Sequence, residues 1–264
     1  YNYWPFQYWL WKNKKRFTAT WVKGKYYENK YLGKFMEMTN NIPAPSKGYI
    51  MTRDFVSTVG RPPSKEEYAA LRELASGKSA PDALPSEIAE RARDMLGRKF
   101  DPQKESYAEC VRLLLAEMNE LFVGLNKDAF DAGLDLLIFP QGTRSIRLSK
   151  GHIGLVQAAL HFKRDIVPIG CNGSDKVYPG GNPWAKSGKI CYRIGEPMTY
   201  ESFAEHHLPE GLNAFDPEVL AEHRDSMQAQ VDKVMDRINE LLDPPYQFGQ
   251  DEGSDGVEGS RRFV

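Results

Sequence analysis

Pro140, Gln141, Gly142, Thr143, Arg144 and Ser145 put several hydrogen-bonding groups into one short stretch, directly after an apolar run at residues 134–139 (LDLLIF). Gly142 lets the backbone come close to a ligand, and Thr143 and Ser145 carry hydroxyls. Arg144 adds a planar fork of donors that matches phosphate oxygens. If the apolar run is a buried strand, these groups stand at the carboxyl end of a sheet, where open α/β folds bind ligands. Such a set of groups describes an anion site. A bare Gly-Thr-Arg tripeptide also fits a plainer reading, a strand and a tight turn whose arginine pairs with a carboxylate.

The longer string is more specific. Residues 139–145, FPQGTRS, resemble the FPEGTRS signature of the glycerol-3-phosphate and lysophosphatidate acyltransferase family. Three further segments are similar to that family in the right order. Residues 17–43 look like the stretch after its first motif, and residues 166–170 (IVPIG), preceded by Asp165, look like its later V-P strand. Residues 189–197 (KICYRIGEP) look like the strand and turn near its end.

The resemblance covers most of the chain outside an insertion and a tail. It implies acyl transfer from acyl-CoA or acyl carrier protein to the hydroxyl of a lysophospholipid, above all 1-acylglycerol 3-phosphate. Glycerol 3-phosphate, another lysolipid or an ornithine lipid precursor is the alternative acceptor. Neither a metal nor a cofactor is implied. On this resemblance Arg144 grips the acceptor phosphate, Gly142 and Thr143 shape the loop, Gln141 orients glycerol, and Ser145 completes the substrate-binding set. Lys47, or else Arg53, takes the place of the second motif's basic residue. Gln141 stands where the family has glutamate, keeping an acceptor oxygen without the charge.

The family's catalytic histidine and aspartate, spaced N-H-x4-D, act as general base and orienting group. The histidines here are His152, His161, His206, His207 and His223, all after the FPQGTRS string. His161 and Asp165 are one residue too close for the motif and read as a helix end. No catalytic residue is therefore assigned within the chain, and the His/Asp motif is expected immediately before Tyr1. The alternative is a catalytically inactive lipid-binding or scaffolding relative.

The elements that must position the loop follow from periodicity. Residues 17–23 (FTATWVK) predict a strand, and Leu32, Phe35 and Met36 mark an amphipathic piece. Residues 40–48 then read as a turn-rich loop, and residues 49–51 as a second strand closing a strand-helix-strand unit. Residues 60–105, dense in charge and broken by prolines, read as a helical insertion with helices at 65–74 and 86–96. Residues 106–122 predict an amphipathic helix, 134–139 a buried strand, 153–162 a helix, and 166–170 and 189–194 strands. A last helix opens at Asp216 with Pro217 in its first turn and stops at Pro244. The fold class expected is α/β, with a mixed, mostly parallel central sheet flanked by helices, like that of glycerol-3-phosphate acyltransferases. Residues 1–248 form the expected acyltransferase domain, and residues 249–264 the tail, read as disordered.

Bulk composition sets the remaining limits. With 41% hydrophobic residues the chain can bury a substantial core, and 35 basic against 36 acidic residues leave no overall field favouring nucleic acid. Any phosphate specificity has to be local. Cys110, Cys171 and Cys191 fit neither a disulfide framework nor paired metal-ligand spacing and read as reduced, mostly buried thiols. No apolar run reaches membrane-spanning length and no signal peptide is visible. The aromatic residues of segment 1–11, followed by Lys12, Lys14, Lys15 and Arg16, suit either a headgroup interface or a core helix with a basic end. The lipid acceptor implies association with a membrane surface, on its cytoplasmic face.

Overall fold

The computed structural model describes residues 3–79, 82–180, 184–209, 211–250, 254 and 256–264. Its elements run in chain order as follows: α1 (Tyr3–Lys14), β1 (Thr18–Lys23), α2 (Lys30–Met38), β2 (Asn41–Ala44), α3 (Lys47–Val59), α4 (Lys65–Leu74), α5 (Glu87–Glu90), β3 (Arg93–Met95) and β4 (Arg98–Phe100). Then come α6 (Tyr107–Asp131), β5 (Asp135–Leu137), α7 (Gly154–Phe162), β6 (Ile169–Asn172), α8 (Ser174–Val177), β7 (Cys191–Ile194) and α9 (Pro217–Glu240). The chain is α/β. Among the described residues its strands fall into separate small sheets, not one central sheet.

Two compact units are each assembled from segments distant in sequence. One comprises Tyr1–Thr18 and Ile138–Val257, and the other Ala19–Leu137 and Glu258–Val264. The second unit holds a three-stranded sheet of order β2-β1-β5 in which β1 and β2 run parallel, Thr20 opposite Asn41 and Lys23 opposite Ala44. The expected strand-helix-strand unit exists, but its second strand is Asn41–Ala44, not residues 49–51. Pro43 is tolerated because β2 is an edge strand, where one face of the backbone needs no ladder donor. Residues 49–51 lie in α3. Ser46 caps that helix by accepting from Tyr49 N at 3.2 Å, and Ile50, Met51, Asp54 and Phe55 form its buried face at helical spacing.

The insertion is only partly helical. α4 forms where expected, started by a capping box between Ser64 and Glu67. The helix expected over 86–96 is one turn long and gives way to the antiparallel hairpin β3-β4. Leu96 and Gly97 turn the hairpin with φ of 53° and 94°, and Asp94 Oδ1 accepts from Gly97 N at 2.8 Å. Tertiary burial decides this choice. Met95 and Phe100 are almost fully buried in the core with Phe55, Leu71 and Val111. Arg93 holds the fully buried Asp54 of α3 through two bonds of 2.7 Å while its guanidinium lies over the Phe100 ring.

In the first unit, α7 and α9 close over Leu148, Val156, Met227, Val231 and Met235. α9 starts as expected, with Asp216 accepting from Glu218 N and Val219 N and Pro217 in the first turn. The antiparallel pair β6-β7 forms a sheet of its own, with Ile169 opposite Ile194. Cys110 is buried, Cys171 and Cys191 are half-buried, and all three are free thiols.

Of the tail read as disordered, residues 251–253 and 255 lie outside the described residues. Its end differs from that expectation: Gly259–Arg262 form a 3-10 turn within the second unit. Ser260 is buried there and donates to the Pro63 carbonyl at 3.1 Å.

Candidate functional site

The 139–145 loop leaves the strand region through a turn in which Gly142 N donates to Phe139 O at 3.0 Å. Pro140 presets that turn, and Gly142 adopts φ 61°, a left-handed value that a side chain would strain. Further bonds fix the segment at several points. His152 N donates to Pro140 O at 2.8 Å, and Leu148 N to Tyr246 O at 2.8 Å. Gly151 touches α9 so closely that a Cβ there would come within 2.6 Å of Val231 Cγ1.

Inside the loop Gln141 Nε2 donates to Arg147 O at 3.2 Å and to Ser149 Oγ at 2.9 Å. Ser145 Oγ donates to the same Arg147 carbonyl at 2.7 Å. Thr143 Oγ1 donates to Val257 O at 3.3 Å, and a Cβ at Gly256 would overlap the Arg144 carbonyl oxygen. Residues 256–257 therefore lie against the loop. Arg144 itself donates to the backbone carbonyls of Tyr178 and Gly180. These partners are neutral: they orient the fork without cancelling its charge.

Gln141, Gly142, Thr143, Arg144 and Ser145 thus share one braced loop. Lys47 belongs to the other unit and begins α3. Its ammonium donates to Ala75 O at 2.5 Å, and burial, then Arg72, lowers its pKa. Arg53 pairs with Glu28 at 3.0 Å. Lys47 is therefore committed to tying the start of α3 to the end of α4, a bond between positions 28 residues apart that spacing alone does not reveal.

His161 and Asp165 do not act as a pair. His161 sits in the last turn of α7, edge-on to Phe162 and Phe215, and burial lowers its pKa. Asp165 accepts from Tyr200 N at 2.9 Å. A cavity of about 500 Å3 lies beside His161, Lys163, Tyr200 and His207, with His207 stacked on Tyr200 at 3.8 Å between centroids. Sequence reasoning missed Arg147, Ser149 and Tyr178 as parts of the loop's frame, because each enters through one backbone or hydroxyl oxygen that no residue pattern marks.

Among the described residues no group of three or more His, Cys, Asp or Glu side chains is placed to hold a metal ion. No helix among them is long and apolar enough to cross a membrane. Chemically, the loop offers a charged fork, hydroxyls and a glycine turn, a set suited to holding an anionic group. No family model, curated protein or solved structure matches this chain.

Proposed function

We propose that the 139–145 loop binds the phosphate of a lysophospholipid, with 1-acylglycerol 3-phosphate as the first choice. On this reading the chain serves acyl transfer from acyl-CoA or acyl carrier protein to the acceptor's free hydroxyl in phospholipid biosynthesis. The supporting observation is Arg144, whose guanidinium meets two neutral carbonyls and no carboxylate among the described residues. A phosphate arriving at this loop exchanges weak neutral partners for charge-assisted bonds. The finer fold, that of glycerol-3-phosphate acyltransferases, belongs to the same proposal and draws support from the parallel β1-α2-β2 unit.

The histidine that removes the hydroxyl proton is not assigned among these residues, so the role proposed for the loop is acceptor binding. Membrane association, on the cytoplasmic face, is proposed through the aromatic and basic α1. In the full chain, Arg144→Ala is expected to raise the KM for 1-acylglycerol 3-phosphate by about tenfold or more, the loss of a charge-assisted phosphate contact. Unchanged KM and kcat reject the assignment. Tight binding of the lysophospholipid without any acyl transfer favours the inactive lipid-binding alternative, and a lower KM for glycerol 3-phosphate moves the acceptor.

A further inference from the structure

Gly33 and Met36 seat α2 on its unit, and both are buried. Gly33 lies so close to the turn Gly24–Tyr27 that a Cβ there would stand 3.3 Å from Tyr27 O. Asn29 fixes the start of the helix by accepting from Tyr31 N and Leu32 N, both at 3.0 Å. With about 100° of rotation per residue, the direction opposite Gly33 and Met36 is that of Tyr31 and Met38. These two side chains are 85% and 74% exposed, and Phe35 and Leu32 extend the same face at 44% and 38%. Apolar side chains scattered singly over a surface call for no explanation, whereas a contiguous exposed group marks a contact surface.

The charges beside this face select what it meets. Residues 23–38 carry four lysines and two glutamates. Both glutamates have basic partners: Glu28 pairs with Arg53 at 3.0 Å and Glu37 with Lys34 at 3.3 Å. Lys25 donates to Val264 O at 2.6 Å. Lys30 has no ion pair among the described residues. By helical rotation Lys30 and Lys34 share the flank of α2 next to Met38 and Tyr31. The Lys34–Glu37 pair is exposed at both ends, and such pairs hold their partners weakly, so both ammonium groups can turn to an anion in front of the helix. Their long stems let them do so while the apolar face goes deeper.

We propose that the exposed face of α2 docks on a lipid surface that carries anionic headgroups. The helix lies along that surface, with Tyr31, Phe35 and Met38 at the boundary of headgroups and acyl chains and Lys30 and Lys34 at the phosphates. The inference rests on the reading that the chain meets a membrane, and it adds a contact in the unit that does not contain α1. A second copy of the chain fits this face less well. α2 has nine residues and presents four apolar side chains, against roughly 20 to 30 residues a side in a stable protein interface. A lipid surface demands no such matched area, and aromatic and apolar side chains flanked by cations are what its boundary takes up.

The test uses the full chain with Met38→Cys carrying a bimane, the labelled wild-type chain giving the background from Cys110, Cys171 and Cys191. The vesicles contain phosphatidylglycerol in phosphatidylcholine with brominated acyl chains. The bimane signal of vesicle-bound protein is expected to fall by roughly half or more, since such a face sits about 5 to 10 Å into the boundary. Tyr31→Ser combined with Met38→Ser is expected to weaken flotation by about tenfold with the thermal midpoint unchanged, because both side chains already stand in water. Phosphatidylcholine alone should float the chain several-fold less. Quenching per bound molecule that persists in Trp9→Ser with Trp11→Ser shows α2 holding lipid without the α1 aromatics. Flotation with no quenching at residue 38 refutes the α2 contact and leaves the membrane reading standing, whereas no flotation at all refutes both. Equal flotation on the two lipid mixtures refutes the part given to Lys30 and Lys34. A dimer in sedimentation that the Tyr31→Ser and Met38→Ser variant loses, with residue 38 unquenched, assigns the face to a second copy and overturns the proposal.

Discussion

Gln141 stands where the resembling family has glutamate, and its surroundings account for the amide. Its Nε2 donates both to the Arg147 carbonyl and to Ser149 Oγ, so it braces the loop from within. A carboxylate accepts from the serine but has nothing to donate to the carbonyl. Gln141→Glu is therefore expected to destabilise the protein by about 1 to 2 kcal/mol, the cost of leaving a partly buried acceptor unmatched. Urea unfolding checks this, and equal midpoints for the two proteins would count against the bracing role. The same bonds commit its Nε2 within the loop, whereas the part proposed for Gln141 in orienting glycerol calls on its acceptor oxygen. That Gly142, Thr143 and Arg144 share one tight turn was legible from their residue types and order alone. Lys47 was not legible as a helix tether, because its partner, the Ala75 carbonyl, carries no residue-specific signal.

Helix α1 divides its aromatic residues between the interior and the surface. Phe6 is buried and meets Tyr192 at 5.2 Å between centroids, while Tyr8, Trp9 and Trp11 are exposed ahead of Lys12 and Lys14. Lys15 lies over the Trp11 ring at 5.3 Å. One face serves the core, and the rest presents the aromatic and cationic mixture that favours a headgroup layer. Replacing Trp9 and Trp11 together by serine is expected to cut flotation with anionic liposomes several-fold with little change in thermal stability. Unchanged flotation excludes α1 as the main anchor. Elements with strong local signals, such as α4 with its capping box and α9 with Asp216 and Pro217, formed where periodicity and caps put them. Two other segments did not. Residues 49–51 look extended in isolation, yet Ser46 and a buried stripe make them helical. Residues 93–100 turn back as a hairpin because Arg93 must reach Asp54 and because Met95 and Phe100 must enter the core.

At the scale of the whole molecule, each unit is closed by a segment from a distant part of the chain. Glu258–Val264 complete the second unit, where Phe263 lies against Gly48 and Tyr68 and Ser260 bonds Pro63. Phe263→Ala is expected to lower stability by about 1 to 3 kcal/mol, the range for losing a half-buried aromatic contact. Chemical denaturation followed by circular dichroism measures this, and no loss would show that the last turn packs without contributing to stability. Glycine, serine and charge made this tail look disordered, and no local pattern says that a distant groove receives it. By itself the sequence determined the α/β class, the helices with caps and stripes, and the donor set of the 139–145 loop, because these depend on periods and residue types that act over a few positions. Only the tertiary structure decided which segment pairs with β1, the hairpin in place of a helix, the commitment of Lys47 to Ala75, and the packing of Phe263 against Gly48. Each of these depends on contacts between residues tens to hundreds of positions apart, where burial and charge outweigh local propensity.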